Sequence, residues 1–240
     1  MSSFSRGNLI TLIVVGIVIY IIAVFSVWWL SNTHTMVETP QRQQVAQPLI
    51  PRVGEIVPFG GHYWRVLQVD RPRNRMLLLS EYVIDTRSYN ATEGGATWEY
   101  STVRRHLNNA FVNGFAEEDR ARIAQTYVVN NDNPWFGTYG GNNTYDRVFL
   151  LSVDEVVRYF GDSGQLQNHE EDEWRIHDQY NSARIAHNTD GVAVWWWLRS
   201  PGLTEERAIN IGFADGYVLI DGLPSDEAGG IRPAMWMYIQ

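Results

Sequence analysis

Cysteine is absent from all 240 residues, which removes disulfides, thiolate metal sites and cysteine nucleophiles from the chemistry open to this chain. Without disulfides, an exported domain must draw its stability from a large core. Lysine is absent too, and all 19 basic residues are arginine. No acidic residue and only one arginine, Arg6, precedes residue 31, so eighteen arginines and all 27 carboxylates fall on the remainder. That remainder is net negative. It repels polyphosphate backbones, and nucleic acid is not an expected partner.

What is present points to a folded chain: 45% apolar residues against 19% charged are enough for a sizeable core. Twenty glycines, 10 tryptophans and 12 tyrosines suit a loop-rich fold with short strands.

Residues 9–30 carry no formal charge and are dominated by Ile, Val and Leu. As a helix they extend about 33 Å, the thickness of a bilayer's hydrocarbon core. The expectation is an uncleaved membrane anchor, because the apolar region of a cleaved signal peptide runs only about 7–15 residues. Trp28 and Trp29 suit an interfacial belt, and Arg6 favours a cytoplasmic N-terminal side. The organisation read from sequence is therefore a cytoplasmic N-terminus at 1–8, a transmembrane helix at 9–30, a Gln-, Thr- and Pro-rich linker at 31–52, and an extracytoplasmic domain at 53–240.

Within that domain, Ile56–Pro58, Tyr63–Asp70 and Met76–Ser80 predict a hairpin or meander. Ser101 caps a helix predicted to reach Phe111, with Val103, Leu107, Ala110 and Phe111 on one face. A short helix is expected over Glu117–Ala124, and a strand over Asp146–Leu151. Ser152 and Glu155 form a capping box opening a helix that ends at Gly161. Residues 162–188 read as irregular, and the acidic run at 170–173 as a solvated loop. Strands are expected at 193–199, 207–211, 217–220 and 234–239. Helices in the first half and strands in the second give an α+β class with a mixed sheet and two to three short helices.

Several motifs occur together: Thr97-Trp98-Glu99-Tyr100-Ser101-Thr102-Val103-Arg104, Asp146-Arg147-Val148-Phe149-Leu150-Leu151-Ser152, Trp196-Trp197-Leu198-Arg199-Ser200-Pro201-Gly202 and Gly230-Ile231-Arg232-Pro233-Ala234-Met235-Trp236. With these the region from Val53 to the C-terminus resembles a bacterial surface domain family of unknown function. More remotely, its C-terminal arrangement is similar to the C-type-lectin-like fold shared by formylglycine-generating enzymes. That resemblance implies a lectin-like domain. It does not carry over their oxidase chemistry, which needs cysteines this chain lacks.

The candidate ligand-binding residues are Trp195, Trp197, Arg199 and Arg232 of the two strongest motifs, with Asn133 and Trp135. Arginine clamps carboxylates and tryptophan offers a stacking platform. The same arginines suit a buried scaffold, paired with acids such as Glu99 or Glu155, and that is the preferred reading because Pro- and Gly-bordered motifs fix backbone turns. Asn130, Asp132 and Asp146 are candidate calcium ligands in an oxygen-rich loop, since calcium takes about 6–8 oxygens. Turn chemistry calls for the same residues. No catalytic residue emerges. The functional expectation is a membrane-anchored, non-catalytic module recognising a glycan, cell-wall saccharide or surface peptide. The alternatives are an assembly component docking on another membrane protein, and an enzyme of unassigned reaction.

Overall fold

The computed structural model describes residues 6–32, 50–92, 94–95, 97–170 and 172–239. The chain divides into two units, Met1–Gln47 and Pro48–Gln240. In the first, helix α1 spans Arg6–Asn32, and every side chain described in it, those of residues 14–30, is exposed. Among the described residues no helix is long and apolar enough to cross a membrane. Most of the predicted linker, residues 33–49, lies outside the described residues.

The second unit is a mixed α+β fold with several sheets and a few short helices. Strands β1 (Ile56–Phe59), β2 (His62–Asp70) and β3 (Arg75–Ser80) form the predicted meander. Gly60 and Gly61, both at positive φ, make the two-residue turn that closes the first hairpin. At the second turn Asp70 accepts from the Arg73 amide, and Asn74 takes the left-handed conformation. Strand β4 (Asp85–Ser88) leads away to the other sheet.

Helix α2 (Thr102–His106) opens on Ser101, whose hydroxyl accepts from the Arg104 amide. It continues to Phe111 as a π-helix over Leu107–Phe111. The wider turn explains a departure from the predicted face. Val103 and Leu107 are buried as expected, but the next buried position is Val112, and Ala110 is exposed. Helix α3 (Glu117–Arg122) follows. Strands β5 (Thr126–Val128) and β6 (Thr144–Asp146) then pair as a two-stranded ribbon. The strand expected over Asp146–Leu151 is not one. Beyond Asp146, Arg147 is exposed and residues 148–151 are buried, meeting the sheets at the Phe149–Ala234 bridge and through the Leu151 carbonyl, which accepts from the Arg199 amide.

Helix α4 (Val153–Phe160) carries the predicted capping box, with Gly161 at its end. The stretch expected to be irregular holds β7 (Arg175–Ile176), α5 (Asn181–Arg184) and β8 (Ala186–His187). The last quarter is strand-rich: β9 (Ala193–Val194), β10 (Trp196–Pro201), β11 (Arg207–Ile211), β12 (Val218–Pro224), β13 (Ala228–Ile231) and β14 (Ala234–Tyr238). Among the described residues four short α-helices, besides the π-helix and two 3-10 turns, stand where two to three were expected.

The first sheet has the order β1-β2-β3-β14, and the second β4-β13-β10-β11-β12-β7. In the second, β10 runs parallel to β13, with Trp196 opposite Gly230, and the other pairings are antiparallel. The closing motif Gly230–Trp236 does not lie in one strand. It spans two: β13 belongs to the second sheet, β14 to the first, and Arg232-Pro233 joins them. The core lies where these sheets meet the short helices, and all six residues of β10 are buried in it.

Candidate functional site

Strand alternation sends Trp196 to one face of β10 and Trp195 and Trp197 to the other. Trp196 and Trp197 are fully buried, and each indole N–H is bonded to a backbone carbonyl, of Arg184 at 3.0 Å and of Arg87 at 3.1 Å. Trp195 is half-buried and stands edge-on to Trp197 with centroids 4.7 Å apart. Both rings close over Gly229, where a Cβ would come within 2.3 Å of the Trp195 ring.

Arg199 is buried, donating to the Leu150 carbonyl at 2.8 Å, the Val129 carbonyl at 3.0 Å and the Glu155 carboxylate. The buried arginine paired with Glu155 is the scaffold arrangement that the sequence favours. Tyr89 donates its hydroxyl to the Arg199 carbonyl at 2.9 Å, and burial pushes that phenol well above its usual pKa. Arg232 lies apart from Arg199. Its Nε donates to the Ser80 carbonyl at 2.8 Å, its guanidinium stands over Trp196, and it lines an open cleft.

The other candidates occupy the loop between β5 and β6. Asn133 is buried and ties that loop to the tryptophan strand. Its Nδ2 donates to the carbonyls of Pro201 (2.8 Å), Gly202 (3.2 Å) and Ile220 (2.9 Å), and its Oδ1 accepts from the amides of Trp135 and Phe136. Trp135 is half-buried, bonds the Leu166 carbonyl and stacks on His169 with centroids 4.4 Å apart. Asp132 accepts from the Gly140 amide, and Asn130 donates to the Asn142 carbonyl. Asp146 is buried with both oxygens engaged, Oδ1 by Arg104 at 2.7 Å and Oδ2 by Trp98 at 2.9 Å and Thr144 at 2.6 Å. Among the described residues no group of three or more His, Asp or Glu is placed to hold a metal ion. Asp132 and Asp146 brace the loop, and Asn130 braces it through its Nδ2 while its Oδ1 is buried without a partner among the described residues.

The exposed side chains of this loop were not predicted. Tyr127 and Tyr145 face each other across the β5–β6 ribbon, with rings 5.2 Å apart and both more than half exposed. Asn143 donates to the Tyr127 hydroxyl at 2.9 Å and accepts from the Asn130 amide at 2.8 Å. Tyr139 donates to Asn142, which donates in turn to Glu99, the neighbour of exposed Tyr100. The result is a surface of tyrosine faces and fixed amides on a braced loop. Its signal in the sequence is the alternation Thr126-Tyr127-Val128 and Thr144-Tyr145-Asp146, each tyrosine flanked by residues that point inward.

No curated protein and no solved structure matches the chain. The family model described as a domain of unknown function (DUF6273) matches residues 73–239, well over half of the sequence, and the chain belongs to that family.

Proposed function

We propose that this protein is a single-pass, membrane-anchored binding module whose extracytoplasmic, lectin-like domain recognises a saccharide. The observation that carries the reading is the face around Asn130–Asp146, where Tyr100, Tyr127, Tyr139 and Tyr145 are each more than half exposed and Asn142 and Asn143 are fixed among them. Aromatic faces stack on the apolar side of sugar rings, while amide and phenol groups bond sugar hydroxyls. Hydrogen bonds within the loop hold these groups in place before a ligand arrives, which lowers the entropy cost of binding. The anchor rests on the uncharged stretch 9–30, which α1 contains, and the orientation on Arg6. The lectin-like character rests on the order of motifs, a Trp- and Arg-bearing strand, a glycine-rich segment and a terminal Gly-x-Arg segment.

The test is a glycan array probed with the full chain in non-ionic detergent, with and without calcium. The expected result is retention on a defined set of saccharides that Tyr145→Ala abolishes. No retention on any glycan in either condition overturns the saccharide reading. Alkaline extraction of membranes checks the anchor: the full chain is expected to stay in the pellet.

A further inference from the structure

A second site lies elsewhere on the domain and shares no residue with the tyrosine face. It is an open cleft of about 410 Å³, within the size range of small-molecule pockets. Its polar wall holds Arg65, Glu81, Tyr82, Tyr159, His187 and Arg232, and Phe160 and Ile185 add apolar surface.

The charges do not balance. Arg65 and Glu81 form a two-pronged pair, with Nε to Oε2 at 2.8 Å and Nη2 to Oε1 at 2.5 Å, which occupies both carboxylate oxygens. Arg232 is only 3% exposed, yet Glu81, the carboxylate whose charge acts on it, is already engaged by Arg65. Its Nε is taken by the Ser80 carbonyl and its Nη2 weakly by the Glu81 carbonyl, at 3.5 Å. Nη1 is itself buried and has no acceptor among the described residues. Burial lowers the Arg232 pKa to about 10 against the opposing pull of Glu81, so the group is still cationic at neutral pH. The rings of Trp196, at 5.1 Å, and Phe160, at 5.7 Å, support that cation without accepting its N–H bonds. Two guanidinium groups against one carboxylate leave one positive charge beside apolar wall, with a donor free.

We propose that this cleft binds a small organic monocarboxylate, its carboxylate on Arg232 and its body against Phe160 and Ile185. One surplus positive charge matches one negative charge, and the planar guanidinium suits a carboxylate. A dianionic phosphate would bring an uncompensated charge into the cleft. The apolar walls call for an organic body rather than a bare ion.

Titration calorimetry of the full chain in detergent tests this, with empty micelles as the blank. The probes are benzoate, N-acetylglycine and galacturonate, with benzyl alcohol, galactose and inorganic phosphate as comparisons. At least one carboxylate is expected to bind saturably with one site per chain, more tightly than its uncharged counterpart and than phosphate. Two variants locate the site. Arg232→Gln removes the charge, and Ala183→Phe fills the cleft from an exposed position on α5, so its folding does not depend on how the chain tolerates loss of the buried arginine. Affinity is expected to fall at least about tenfold in each, or about 1.4 kcal/mol. Absence of saturable carboxylate binding, phosphate binding as tightly as the carboxylates, or unchanged affinity in Ala183→Phe each overturns the proposal. None of these outcomes bears on the glycan array, because Tyr145 lies outside the cleft.

Discussion

The stretch Trp195–Gly202 and the loop Asn130–Asp146 hold most of the residues that looked functional, and the fold treats them in opposite ways. In the first, three adjacent tryptophans and an arginine carry the strongest motif of the chain. The indole N–H groups of Trp196 and Trp197 and the terminal nitrogens of Arg199 are hydrogen-bonded inside the protein, and the Arg199 Nε is buried without a partner. In the second, the acidic and amide residues that resemble ligands brace the loop, and tyrosines between them face solvent. Motif strength thus reports how tightly a residue is held by its neighbours. Solvent-facing chemistry lies on residues whose neighbours do the holding.

The largest test of this contrast is Trp197→Ala. It removes a fully buried ring that touches Tyr89 and Trp195 and bonds the Arg87 carbonyl. The expected loss is about 4 kcal/mol of unfolding free energy by denaturant titration. A loss within about 0.5 kcal/mol, the range of surface substitutions, would mean that the strand is not core and would reopen it as a binding strip.

Next comes the base of the loop. Asp146→Asn neutralises the partner of Arg104 and turns an amide NH₂ toward the Trp98 or Thr144 donors, or else toward Arg104. We expect destabilisation of about 3 kcal/mol, measured in the same way. Calcium should leave the unfolding midpoint of the unmodified chain unchanged, because both Asp146 oxygens already have donors. A calcium-dependent rise in that midpoint would return the residue to the ligand set. A smaller effect, about 2 kcal/mol, is expected for Gly229→Ala, since its Cβ would meet the rings of Trp195 and Trp197 at 2.3–2.5 Å.

Much of this architecture was legible because it depends on local rules. The β1–β3 meander, the Ser101 cap, the Ser152–Glu155 capping box and strand β11 each follow from a few adjacent residues. What was missed depends on distant partners. Nothing near Ala228–Ile231 says that it lies between β4 and β10, or that the backbone leaves one sheet for the other at Arg232-Pro233. The π-turn at Leu107–Phe111 shifts a helical face by one residue without an insertion signal in the sequence. For the sites, Arg199 and Arg232 share motif strength and residue type, and each keeps one buried donor without a partner, yet Arg199 is paired with the Glu155 carboxylate while Arg232 lines a cleft. That difference is set by Arg65 of β2, the Ser80 carbonyl, Glu81, and Tyr159 and Phe160 of α4, all more than 70 residues away from Arg232. The exposed tyrosines were hidden for another reason: on a two-stranded ribbon the period-two signal is only three residues long.

The smallest stability effect is expected where the functional effect is largest. Tyr145 is 65% exposed, makes its ring contact with Tyr127, and lies on a ribbon whose inward positions are Thr144 and Asp146. Replacing it with Ala removes one exposed cross-strand ring contact and leaves every hydrogen bond to Asp146 in place, so the change in stability should stay within about 0.5 kcal/mol. On the glycan array the same variant is expected to lose retention. If Tyr145→Ala unfolds the chain as Trp197→Ala does, the ribbon is part of the core and its tyrosines are not a surface. If it leaves both stability and retention untouched, the saccharide does not meet this face, and the contrast between a buried motif and an exposed loop holds for folding alone.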